Sequence, residues 1–255
     1  MNLIIAIMLG FAAGWLINYL SDVLPTLRRL ARPVCAHCGA TFGWRDYFFV
    51  HACRECKQPR SWRTYIVLIA APVLSALLSL NPPAQFNYWT GLLVLTYFGA
   101  VLVMDLEHRL ILHVVSLAGA AIGLLAGLNA NGLAVTLLGG LAGLLIMFIF
   151  YLFGMLFARY RARKLGVDDD EEALGFGDVI LSAVLGLMLG WPQIVTALLI
   201  GILAGGVISV LIILLLVAAR RYQSMNVFTA YAPYLVLGAA LVLFFPQTAV
   251  IFPGK

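Results

Sequence analysis

Apolar runs long enough to cross a bilayer recur along almost the whole chain, and they decide what it can fold into. Runs of about 17 to 25 residues can span the hydrocarbon. The sequence divides into eight, at roughly 3–24, 64–80, 88–104, 110–128, 133–158, 177–191, 193–218 and 230–250. With 63% hydrophobic residues over 255 positions, the solvent for most of the chain must be lipid. The expected class is an all-α polytopic membrane protein of about eight transmembrane helices. The sixth run is the weakest, because Gly190-Trp191-Pro192-Gln193 interrupts it after only about 15 residues. The first run lacks a basic flank and a small-residue cleavage site, so it is expected to be a retained span rather than a removed signal.

Basic residues favour the cytosolic ends of spans. The eight-run division places 15 of the 16 Lys and Arg residues on one side, from Arg28 through Arg63, at Arg109, from Arg159 to Lys164, and at Arg220 and Arg221. Only Lys255 falls on the other. Both termini are therefore expected outside and every basic loop in the cytosol. The same distribution explains the net charge of +5 without nucleic acid, which is not expected as a partner. Glycine-rich stretches such as 139–143 and 201–206 fall inside spans, where small residues let helices approach closely.

All four cysteines lie after the first span, as Cys35-Ala36-His37-Cys38 and Cys53-Arg54-Glu55-Cys56, with 14 residues between the pairs. That spacing approximates a four-cysteine zinc ribbon, and a reducing cytosolic loop disfavours disulfides. Cys35, Cys38, Cys53 and Cys56 would close a tetrahedral shell, making the zinc structural and leaving His37 and His51 as surface residues. A loop of about 38 residues buries little core, so metal would supply stability that packing cannot. Trp44, Tyr47, Phe48 and Phe49 would form its apolar filling or lie at the headgroup level. The expected organisation is a first transmembrane helix over 1–25, a cytosolic zinc-ribbon loop over 26–63 and a membrane-embedded bundle over 64–255.

Two aspartates stand at the edges of apolar runs: Asp105 before Leu106-Glu107-His108, and Asp178 in Gly175-Phe176-Gly177-Asp178-Val179. Ionisable residues there are costly to desolvate, and a pair of carboxylates that share a proton can hydrolyse a peptide. Gly175 and Gly177, without a Cβ, would let a substrate strand or helix come close to the second aspartate. The plainer alternative is that each aspartate caps a helix, and Asp178 does precede a helical run. His113 is expected as a satisfied core residue. The acidic run Asp168-Asp169-Asp170-Glu171-Glu172 reads as a solvated loop or as an attractor for a basic substrate segment.

Taken in order, these pieces resemble the type IV prepilin peptidases. Gly14-Trp15-Leu16-Ile17-Asn18-Tyr19 through Leu24-Pro25 is similar to that family's amino-terminal stretch, and the cysteine knuckles follow it. The segments from Asp105 to Leu112 and from Gly175 to Leu181 resemble those around its two catalytic aspartates, and 228–239 its carboxy-terminal signature. The resemblance implies an aspartic endopeptidase of the prokaryotic inner membrane, with Asp105 and Asp178 as the catalytic pair. It would remove the basic leader of type IV prepilins or secretion pseudopilins at the cytosolic face. Many such enzymes also methylate the new amino terminus with S-adenosylmethionine. Here the stretch from Arg63 to Ile69 keeps the family's arginine but has an apolar residue where an acidic one is expected, which argues against methylation. Trp15, Val23 and Leu112 also replace family residues. Rival readings are another G-x-G-D intramembrane protease, a carboxylate-dependent transporter, or a zinc-ribbon assembly factor.

Overall fold

A computed structural model describes residues 2–35, 37–83, 85–165, 175–218 and 230–245. Among them every regular element is helical: α1 (Leu3–Leu27), α2 (Trp44–Phe48), α3 (Trp62–Leu80), α4 (Tyr88–His108), α5 (His113–Asn131), α6 (Leu133–Leu165), α7 (Phe176–Leu189), α8 (Gln193–Ala218) and α9 (Ala232–Phe244). An isolated antiparallel bridge joins Val34 and Thr41. Six helices, α1, α3, α4, α5, α6 and α8, are long and apolar enough to cross a membrane, so the protein is a multi-pass membrane protein. The two remaining apolar runs form shorter helices, α7 of 14 residues and α9 of 13. At 1.5 Å per residue α7 extends only about 21 Å, which bears out the weakness of the sixth run.

Helix ends depart from the hydropathy boundaries in both directions: α5 starts at His113 and α7 stops at Leu189, inside their runs, while α4 and α6 overrun theirs. α4 continues past Met104 through Asp105 to His108, and α6 continues to Leu165. Hydropathy falls at the first charged residue, but the helix persists until a cap stops it. For α4 that cap is Arg109, at φ 51°, whose N–H donates to the Asp105 carbonyl. His113, expected in a core, is instead an exposed first residue of α5.

The chain divides into two compact units, Met1–Leu112 and His113–Lys255. In the first, α1 packs on α3 and α4. Gly10 lies against the backbone of Pro72, and Gly14 against Val67 and Ala71. Polar groups occur on the same helices. Ser75 donates to the Ala6 carbonyl at 2.6 Å, and the Asn18 amide donates to the Thr64 carbonyl at 3.3 Å. These bonds stand in for water within an apolar bundle.

In the second unit α7 packs on α5, α6, α8 and α9, and α8 also on α9. Gly139 and Gly186 face one another backbone to backbone, Gly143 faces the Ser182 carbonyl, and Gly238 faces the Ala197 carbonyl. The glycines of 139–143 and 201–205 thus act in helix packing, while Gly206 borders open space. The turn after α7 is fixed by Gly190, at φ 75°, and by Trp191 donating to the Val135 carbonyl at 3.0 Å.

Candidate active site and metal centre

The ribbon is built from two knuckles with the same local geometry. In the first, the Cys35 N–H donates to the Ala40 carbonyl at 2.8 Å and the Gly39 N–H to the Cys35 carbonyl at 2.9 Å. In the second, Cys53 bonds Gln58 at 3.0 Å and Lys57 bonds Cys53 at 2.9 Å. Each turn closes on a left-handed residue, Gly39 at φ 73° and Lys57 at φ 55°. This repeated turn brings all four thiols together, with Sγ atoms 3.6 Å apart for Cys35–Cys56 and for Cys38–Cys53, and every pair within 4.8 Å. A tetrahedral zinc with bonds of about 2.3 Å requires edges of about 3.8 Å, so the four sulfurs fit such an ion. All four are free thiols.

Burial pushes the Cys35 thiol up, but N–H groups of Cys38 and His37 and the neighbouring thiols more than offset it, bringing it down to about 6. At Cys35 this favours the thiolate, which is the form that binds metal, whereas neighbouring thiols help to push Cys38 and Cys56 up. His37 and His51 are exposed, as expected of residues outside the ligand set.

A charged network missed in the sequence attaches this ribbon to its helices. The Asp22 carboxylate, near the end of α1, accepts from Tyr47 at 2.6 Å, from Arg60 at 2.7 Å and from Arg63. The Arg60 guanidinium also lies over the rings of Phe42 and Tyr47, 5.1 and 4.5 Å from their centroids. Burial and the adjacent Asp22 carboxylate hold the Tyr47 phenol above its ordinary range. Arg63 Nε reaches Glu107 Oε1 at 2.9 Å, joining the start of α3 to the last turn of α4. A cleft of about 440 Å³ lies beside this network, with Asp22, Arg60, Arg63, Glu107 and Cys35 in its wall. Two residues before Glu107, Asp105 is buried in α4, 6% exposed.

Asp178 is equally buried in the second unit, 8% exposed. It is not the N-cap of α7. That position belongs to Gly175, whose carbonyl accepts the Asp178 N–H at 3.0 Å, and Asp178 is the third residue of the helix. An acidic side chain in a first turn suits the helix dipole. A Cβ on Gly175 would stand 3.7 Å from an Asp178 carboxylate oxygen, an ordinary contact, so the space over the carboxylate depends little on this glycine. The run from Asp168 to Glu172 and residues 228–229 lie outside the described residues.

Residues 92–210 match the type IV leader peptidase family, and both buried aspartates fall inside that segment. The chain is 29% identical over 195 residues to a prepilin leader peptidase/N-methyltransferase of Aeromonas hydrophila, covering 75% of this chain and 61% of that protein. It is 26% identical over 288 residues to the protein of the same name in Burkholderia pseudomallei strain K96243, covering 96% of this chain and 86% of the relative. A type 4 prepilin-like proteins leader peptide-processing enzyme of Escherichia coli is 30% identical over 169 residues, covering 63% of this chain and 60% of its own length. No solved structure matches. Over the segment 92–210, just under half of its length, the chain is similar to the type IV leader peptidase family.

Proposed function

We propose that this protein is a membrane aspartic endopeptidase that removes the basic leader of type IV prepilins or pseudopilins. Asp105 and Asp178 act as the pair: one, ionised, takes a proton from water, and the other, protonated, donates towards the scissile carbonyl oxygen. This division of labour requires the two carboxyls to share one proton, as like charges in one site do. The observation that carries the reading is that both buried acids lie within the leader-peptidase segment, each in the terminal turn of an apolar helix. The eight-span path, with α7 and α9 as the two short crossings, puts both acids and the ribbon on the cytosolic face of the inner membrane and both termini outside.

The cysteine cluster holds a structural zinc, since four thiolates leave no open position for water. Methylation of the new amino terminus, named for the Aeromonas and Burkholderia relatives, is the weaker half of this reading. The resemblance calls for an acidic residue at Leu68, and Leu68 instead lies close to Gly14 of α1. The acidic run 168–172 attracts the basic leader in this scheme, so its replacement by Asn and Gln should slow cleavage more at low salt than at high.

The test is leader removal from a type IV prepilin, read by mass. Asp105→Asn and Asp178→Asn should each abolish cleavage while keeping metal content and fold, and cleavage that survives either substitution refutes the pair. A further gain of one methyl mass in the product would establish the second activity despite Leu68.

A further inference from the structure

The ribbon carries an aromatic surface that the described residues of its unit cover only in part. Trp44 and Phe48 of α2 and Phe49 just after it are 45%, 48% and 72% exposed. Clustered exposure of large apolar side chains marks an interaction surface, and single exposed residues do not. What it faces follows from where the ribbon rests. The Phe48 ring stands edge-on to Trp15 with centroids 5.3 Å apart, Tyr47 is 6.0 Å from Trp15, and Trp44 is 5.9 Å from Tyr19. Trp15 and Tyr19 belong to α1, on the stripe that ends at Asp22. Seven residues of helix separate Trp15 from Asp22, so Phe48 packs at a level about 10 Å below that carboxylate, towards the middle of the span. Further along the same stripe, Phe11 and Met8 are exposed, as lipid-facing residues of a span are. The exposed face of α2 therefore continues the lipid-facing surface of α1. Arg28, Arg29, Arg32 and Arg45 are exposed within this unit, a charge complement to lipid phosphates.

We propose that the metal ribbon is embedded at the headgroup–acyl boundary of the bilayer, with Trp44, Phe48 and Phe49 as its anchors and these arginines directed to lipid phosphates. The partner is the membrane itself. Aromatic side chains with an apolar body and a polar edge settle at that level, and an amphipathic segment sinks about 5–10 Å into it. The ribbon is then no free extramembranous domain, and its metal centre is held at a fixed height. This inference stands whether or not the protein cleaves prepilins.

The test uses the full protein reconstituted in phosphatidylcholine–phosphatidylglycerol vesicles whose acyl chains are brominated either near the headgroup or near the methyl end. Subtracting the emission of Trp44→Phe from wild type isolates Trp44. Shallow bromines should remove about half or more of that emission and deep ones much less, while aqueous iodide leaves it unchanged, as for a side chain 5–10 Å below the surface. A second reporter, Phe49→Trp in the Trp44→Phe background with metal stoichiometry retained, should behave alike. Emission that iodide quenches, or that no brominated lipid quenches because water or another protein surface covers the patch, would overturn the proposal.

Discussion

Among the described residues, helices of the second unit meet mainly through glycine, whereas those of the first meet through glycine and a serine hydroxyl at one end of α1 and through charge at the other. Gly139 against Gly186 and Gly238 against Ala197 are contacts of backbone with backbone, which need no ion and no protonation state. They stabilise by close van der Waals approach, the main attraction between helices in lipid. In the first unit, the lower half of α1 uses the same device at Gly10 and Gly14, but its upper end rests on Asp22, to which three side chains from the ribbon and α3 converge. Buried charges are stabilising only as a complete set, because any member left alone has lost its water. The glycine contacts of the second unit are thus unconditional, and the end of the first unit that carries Asp105 is held conditionally on its partners.

Metal removal should separate the two regimes most widely. Structural zinc contributes about 10 kcal/mol or more to folding in small ribbons. Chelation, or Cys35→Ser, should therefore unfold residues 33–60 and open Arg45, Arg54 and Lys57 to trypsin, while fragments of 113–255 remain intact. A ribbon that stays resistant with its metal gone would show that Asp22 and the aromatic packing suffice, and the contrast would fail. Next in size is Gly186→Val, whose side chain would run into the Gly139 carbonyl on a backbone that cannot give. It should cost at least about 3 kcal/mol, read as a lower unfolding midpoint in detergent. Gly206→Ala, with nothing within 4 Å of the added carbon, is the control and should stay within about 0.5 kcal/mol of wild type.

The pattern of what was legible follows the range of the interactions. Cysteine pairs are local, so C-x-x-C spacing is enough to announce a four-thiol cluster able to hold a metal, and glycine within apolar runs announces helix packing. Asp22 is not legible: its partners lie 25, 38 and 41 residues away, Arg60 reads only as an orientation signal, and Arg63 reads as that and as the family's motif arginine. A lone acid inside the first apolar run was the available signal. Helix ends were blurred because hydropathy registers Asp105 as an interruption, although the helix runs on to a capping Arg109. The capping alternative for Asp178 failed for a similar reason, since a glycine two residues outside the visible G-D pair took the N-cap position.

The finest distinction lies within the charged network. Asp22→Asn keeps the shape of the side chain but leaves two arginines, Arg60 and Arg63, each no more than 15% exposed, without their shared carboxylate. Removing one member of such a buried set costs about 3 kcal/mol, so metal should leave the ribbon to a chelator roughly 100-fold faster. Glu107→Gln removes the outer end of the same chain, but Glu107 is 35% exposed on its side chain, and water there screens the pair with Arg63. Its cost should stay below about 1 kcal/mol and fall further at high salt, where the Asp22 effect should not. If both substitutions respond equally to salt, Asp22 is as wet as Glu107, and the ribbon would be held to α1 by its aromatic contacts with Trp15 and Tyr19 rather than by charge.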